Sequence, residues 1–305
     1  MATQTTRPAT TEGGAVVDRI RVSVPDRGLR HDLRAISIVW RRELIRFRTD
    51  RLRAITSLVQ PFLFLFILGT GLSNLAGGSL PHSADFDFKT FIYPGVLAMS
   101  VLFTAIFSAG SIVWDREFGF LREILVAPVS RASIVIGKCL GGATIATFQG
   151  IIFLALAWFA HVPYDPVLIF GLIGMLLLLS FTLTAFGVMM AARITQFQAF
   201  MALTQMLVLP LFFLSGALYP LTGLPSWLTV LTRLDPLTYV VGPMRHLVFS
   251  HLNVPPYVAT AINTHLAPSI TWGGWAVPVW LSLSIVAVMG LAMMSVAIAE
   301  FSKTD

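Results

Sequence analysis

Residues 114–131, WDREFGFLREILVAPVSR, hold six charged side chains, Asp115, Arg116, Glu117, Arg122, Glu123 and Arg131, in a chain of which only 12% is charged. Carboxylates beside guanidinium groups can move protons, hold a cation, or make ionic contacts with another protein. The surrounding sequence has to decide among these. The six histidines show no HExxH or comparable ligand spacing, and the single cysteine, Cys139, lies in an apolar run. No metal site and no disulfide framework is therefore expected. A GxxxxGK[ST] loop is also missing: Gly137-Lys138 is followed by Cys139 and lacks the preceding glycine, so this chain is expected to bind no ATP or Mg of its own.

The elements around the island are greasy. Of the 305 residues 56% are hydrophobic, and mean hydropathy is +0.79, against roughly a quarter charged in an ordinary soluble domain. Six apolar stretches, near 54–72, 90–113, 134–160, 167–191, 199–217 and 275–299, approach or exceed the ~20 helical residues that cross a hydrocarbon core. All Lys and Arg except Lys89, Arg233 and Arg245 then fall on the side of the N-terminus. By the positive-inside rule both termini face the cytoplasm, and the basic balance is explained without nucleic acid as a partner.

The spans contain no Asp, Glu, Arg or His, and their one charge, Lys138, is expected near a helix end with its stem running to the interface. A proton relay or an intramembrane acid–base centre has nothing to work with. What remains is a scatter of hydroxyls and amides, including Gln60, Ser100, Thr104, Ser108, Gln149 and Gln205. Such groups suit helix packing, or an amphipathic molecule passing between helices.

Residues 1–31 read as a polar tail without a cleavable signal. Over 32–53, Leu33, Ile36, Trp40, Leu44 and Phe47 recur at helical spacing while arginines, Arg41 and Arg42 among them, take the other side. That predicts an amphipathic interfacial helix, with Trp40, Arg41, Arg42 and Glu43 at its middle. The 114–131 island is predicted to form a short helix along the membrane. Its stripe is Trp114, Phe118, Leu121 and Leu125, and its far side Asp115, Arg116, Arg122 and Glu123. Phe120 and Glu117 break this division. Either they meet a partner protein or the helix is an ordinary interfacial one with imperfect patterning. Between spans five and six, Pro220, Pro225, Pro236 and Pro243 cut the chain into pieces too short to cross, and 137-GKCLG-141 fits a small-xxx-small helix contact.

The run Trp114-Asp115-Arg116-Glu117-Phe118-Gly119, with Leu125, Pro128, Ser130-Arg131 and Gly137-Lys138, resembles a block of the type 2 ATP-binding cassette (ABC) exporter permeases. A second block, 212–245, agrees through Ser215-Gly216, Pro220, Leu224-Pro225, Trp227-Leu228, Pro236-Leu237-Thr238-Tyr239 and Arg245. The likeness covers about residues 32–305 and is nearest the daunorubicin-resistance and nodulation-factor export branch, although Gly242-Pro243-Met244 stands where an acidic residue is common. The resemblance implies an all-α, six-span permease spanning 54–305 in the inner membrane of a bacterium. It implies an ATPase-coupling helix centred on Glu117, with Asp115, Arg116, Phe120, Arg122 and Glu123 around it, and an outer re-entrant helical hairpin over 218–250. It further implies an ATP-binding subunit that holds ATP and Mg, a second permease copy, and export of an amphipathic drug or lipid. Polysaccharide or glycolipid export, and an uncoupled channel, are the competing readings. The expected path runs along Ser100, Thr104, Phe107 and Ser108 of span two and Gln205, Phe212 and Phe213 of span five; the alternative is that these side chains only pack and bond to their own helices.

Overall fold

A computed structural model describes residues 29–71, 88–119, 129–221, 224–252, 271–272 and 275–303. Among these residues the order is α1 Leu29–Thr49, α2 Arg51–Leu63, α3 Phe88–Ser108, α4 Gly110–Glu117, α5 Arg131–Leu154, α6 Pro166–Ala191 and α7 Phe197–Leu214. Then come α8 Ser226–Leu234, α9 Thr238–Ser250, a two-stranded turn of β1 Thr271–Trp272 and β2 Trp275–Ala276, and α10 Val279–Lys303. Among the described residues five helical segments are long and apolar enough to cross a membrane: α3 with α4, α5, α6, α7 and α10. The first expected span is a shorter apolar helix, Ile55–Gly71. It contains Pro61, which lacks a backbone donor, and widens into a π turn at Phe64–Leu68. The third expected span is helical only to Leu154, and a 3₁₀ turn at Ala157–Ala160 completes it.

Helix starts follow the local chemistry. Ser130 accepts from the Ser133 N–H at the head of α5, and Asp165 accepts from Val167 at 2.7 Å with Pro166 in the first turn of α6. α3 is the centre of the bundle: it is apolar all round and buried almost continuously from Thr90 to Ile106. Polar side chains stitch it to its neighbours. Gln149 of α5 accepts from Thr104 and donates to Ser57 of α2, both at 2.7 Å, and Thr147 meets Ser180 at 3.0 Å. Much of the scatter of hydroxyls and amides thus consists of packing contacts.

α1 does not simply lie on a lipid surface by its apolar stripe. Its inner face, Ala35, Ile36, Val39 and Glu43, sits on α5, while Leu33 is exposed. Gly137 and Gly141 make the approach possible, since a Cβ at either would come within 2.8 Å of Val39 or Glu43. The small-xxx-small motif is therefore the seat of α1 within one chain. Trp40 adds a hydrogen bond from its indole N–H to Thr144 at 3.1 Å.

Lys138 is one residue beyond the first of those glycines, and the expectation that it reaches the interface is wrong. It is 5% exposed, and its ammonium donates to Glu43 at 2.8 Å, Ser111 at 2.9 Å and Asp115 at 3.0 Å. The second Asp115 oxygen faces Arg42 at 3.3 Å and Arg46 at 3.7 Å. All three ammonium protons are used, which is the condition for holding a charge in a low-dielectric interior. The network joins α1, α4 and α5.

At the opposite end, α9 is buried against α3, and Arg245 anchors it. The guanidinium donates to Gly216 and Ala217 carbonyls at 2.8 and 3.1 Å and stands over the Phe91 ring at 4.2 Å. Asp235, at the corner between α8 and α9, accepts from the Leu237 N–H at 2.9 Å and from Thr238. Burial outweighs these bonds and pushes its carboxyl up to about 7.

Replacing Lys138 by Met strands Glu43, and is expected to destabilise the protein by about 3–5 kcal/mol, while Lys138→Met with Glu43→Leu recovers part of the loss; thermal inactivation in detergent measures both. For Asp235 the folded form binds the proton more tightly than the unfolded one, so stability falls as pH rises from about 4 towards 7. Asp235→Asn is expected to flatten that slope and to gain on the parent protein above neutral pH, as read from melting temperature against pH.

Candidate functional site

The basic end of the bundle, where α1, α4, the start of α5 and the ends of α6 and α10 meet, is cross-braced by side chains that satisfy helix termini. The last carbonyls of a helix have no intrahelical partner. Arg116 donates to Ala191 and Ile194 carbonyls at and just past the end of α6, at 3.2 and 2.8 Å, and its guanidinium faces the Phe301 ring at 5.7 Å. Arg131 donates to the carbonyls of Phe301 and Ser302 at the end of α10, at 3.1 and 2.8 Å. Arg193 pairs with Glu300 at 2.9 Å. Cations at helix C-termini also complement the backbone dipole.

Glu117 does the converse at a helix start. Its carboxylate accepts the Phe197 N–H at 2.8 Å, placing negative charge at the N-terminus of α7. Trp114 reinforces the joint by meeting the Phe197 ring edge-on at 5.1 Å, and it packs on Phe118 at 4.7 Å. The sequence expectation of a separate helix starting at Trp114 is corrected here: α4 continues α3 after a single turn at Ala109, and it ends at Glu117. Asp115 is likewise inside, 3% exposed, instead of on a solvent face.

Above this joint lies a cavity of about 430 Å³. Phe103 and Phe107 of α3 and Phe197 and Met201 of α7 give it apolar walls, with Thr104, Ser108 and Ser111 between them. Its mouth is charged, formed by Glu43, Arg46 and Asp50 from the end of α1 and the residue after it. A molecule with a flat or greasy body and a polar end matches that distribution.

The sequence-derived residues divide accordingly. Thr104, Phe107 and Ser108 line the cavity; Ser100 does not, being fully buried with its hydroxyl on the Leu97 carbonyl. Thr104 and Ser108 line the cavity and also bond to carbonyls of their own helix. Phe212 is buried against Phe64, whereas Gln205 and Phe213 lie exposed on the outer face of α7. Arg41 is exposed, and Arg42 and Glu43 belong to the ion network around Lys138 and Asp115. Phe120, Arg122 and Glu123 lie outside the described residues. Sequence reasoning missed Arg46, Phe103, Phe197 and Met201 as cavity residues. Phe197 carried a signal as an aromatic at the head of an apolar run, and Phe103 as the residue one helical turn before Phe107.

The ABC-2 type transporter family model matches residues 34–249, well over half of the chain. The transport permease ycf38 of Cyanophora paradoxa is 30% identical over 222 residues, covering 72% of this chain and 75% of its own length. The inner membrane transport permease YadH of Escherichia coli K12 is 28% identical over 228 residues, covering 74% and 87%. A multidrug ABC transporter permease, YbhR of Escherichia coli K12, is 30% identical over a shorter stretch of 161 residues, 52% of this chain and 43% of that one. The chain is a multi-pass membrane protein of the ABC-2 type transporter family, the permease component of ATP-binding cassette transporters.

Proposed function

We propose that this permease exports an amphipathic, drug-like or lipid-like molecule, driven by ATP that a separate ATP-binding subunit hydrolyses against the 114–131 segment. The observation that carries the reading is the joint at Glu117. One carboxylate at the exit of α4 holds the first N–H of α7, and the residue it holds, Phe197, is itself a wall of the cavity. Force applied to the segment after Glu117 is transmitted to α7 through that bond and the Trp114 contact, without needing a charge to move through the membrane. The multidrug name of one relative fits a cavity that sets aromatic walls beside hydroxyls and a charged mouth.

The same reading sets the topology. The start of α1, the ends of α4, α6 and α10 and the start of α5 share one end, with Arg116, Arg131 and Arg193, whereas Arg245 anchors the other. Putting the basic end in the cytoplasm obeys the positive-inside rule. A second permease copy completes the path. On α7, Gln205 is exposed beside Met206, Leu209 and Phe213, and a carboxamide facing lipid leaves its donors and acceptor unpaired. Facing its own counterpart across a twofold axis, it has a partner.

Glu117→Ala and Phe120→Ala are expected to insert normally while lowering both export and permease-dependent ATPase activity severalfold in the reconstituted complex. Unchanged values for both variants would remove the coupling assignment. Separately, Gln205→Cys is expected to form a disulfide-linked permease dimer in native membranes on mild oxidation, with Cys139 too buried to contribute; a wholly monomeric product places α7 against lipid.

A further inference from the structure

A second concavity adjoins the first. On the outer side of α1 and α2, a groove of about 540 Å³ is bounded by Leu44 and Phe47 of α1, Ile55 of α2, and Ile145 and Phe148 of α5. Among the described residues Arg48 is the one charge in its lining, and Thr144 supplies a hydroxyl. Ile55 and Phe148 are exposed, so the groove opens sideways, away from α3 and α7. Two residues, Phe47 and Ile145, line both this groove and the inner cavity. Apart from them the two linings have no described residue in common. Above the shared pair, Gln149 ties α2 to α5 and α3, and below it the Lys138 network ties α1 to α5 and α4. The wall between groove and cavity is thus a weak panel, two apolar side chains that cannot hydrogen-bond, set between two polar clamps.

We propose that the groove is a lateral entrance from the cytoplasmic leaflet, that it takes an amphiphile with an anionic head group, and that Phe47 and Ile145 form the gate through which its apolar part reaches the cavity. The head-group sign follows from the mouth. Arg48 faces the groove, and of the carboxylates at the cavity mouth Glu43 is engaged by Lys138 while Asp50 stands one turn of α1 from Arg46; Asp115, behind the lining, is engaged by Lys138, Arg42 and Arg46. An anionic head can step from Arg48 to Arg46, two residues earlier on α1, while its chain exchanges one apolar lining for another. A cationic head meets Arg48 first. The inference rests on the export reading for its purpose, but binding needs no ATP, so it is tested apart from coupling.

The test uses the purified full-length permease in nanodiscs, with a photoreactive benzophenone amino acid at Phe148 in the groove or at Phe107 in the cavity, and fluorescent phosphatidylglycerol as the probe. Both positions are expected to capture it. Phe47→Ala is expected to raise capture at Phe107 severalfold and Ile145→Trp to lower it, with capture at Phe148 retained in both. Retained capture at Phe148 also reports that each variant is folded, and the Ala variant stands if the Trp variant does not fold. Capture at Phe148 alone, equal capture at Phe107 in all three proteins, or equal capture of a trimethylammonium lipid overturns the proposal. Loss of ATPase stimulation with these results intact would count against the coupling reading instead.

Discussion

Everything at the basic end of this permease is arranged around an ammonium group that cannot reach water. Lys138 is enclosed by Glu43, Asp115 and Ser111, and an unpaired charge there would be intolerable, so α1 and α4 are obliged to stay where their carboxylates meet it. A buried ion pair of this sort adds little net stability over a well-packed apolar substitute. Its effect is on geometry, because only one placement of three helices satisfies every donor and acceptor. The glycines at 137 and 141 belong to the same constraint: without their close approach Glu43 could not come within 2.8 Å of Lys138.

From that fixed point the remaining joints follow in order. Asp115 is held, so the end of α4 is held, and it delivers Arg116 to the end of α6 and Glu117 to the start of α7. Each of these two contacts satisfies a helix terminus that would otherwise lack a partner. The DRE tripeptide is therefore three different devices on consecutive residues: one faces the interior network, one a helix C-terminus, one a helix N-terminus. A helical wheel drawn for an isolated surface helix cannot separate them, since the partners come from α1, α5, α6 and α7.

The class of the fold is legible in the sequence because long apolar runs and basic-residue asymmetry depend only on the bilayer. Membership of the family is legible from two blocks of residues, 114–138 and 212–245, and residues 34–249 match the ABC-2 model. The face of each helix is harder to read. In lipid an apolar residue is acceptable on either side, so periodicity loses its power, and Leu33 is exposed although it matches the stripe while Glu43 is buried although it does not. Lys138 escapes sequence reasoning for the same reason: its place near a helix end is plain, but its partners, Asp115 and Glu43, are distant in the chain and leave no local pattern. Gln149, in sequence only a polar residue in a span, is the bracket for α2, α3 and α5.

The polar contacts also divide the structure mechanically. The basic end is tied by charge-assisted bonds, the middle by Gln149 and the Thr147–Ser180 pair, and the far end by Arg245 on two carbonyls. Between these belts the helices touch through Phe, Leu, Ile and Met, whose dispersion contacts are undirected and change partners without leaving a polar group bare. A transporter needs that combination. If its helices were stitched along their whole length, any rearrangement would cost every bond at once; if none were stitched, no part of the frame would keep its shape. The walls formed by Phe103, Phe107, Phe197 and Met201 lie in the undirected zone, one bond away from the braced end.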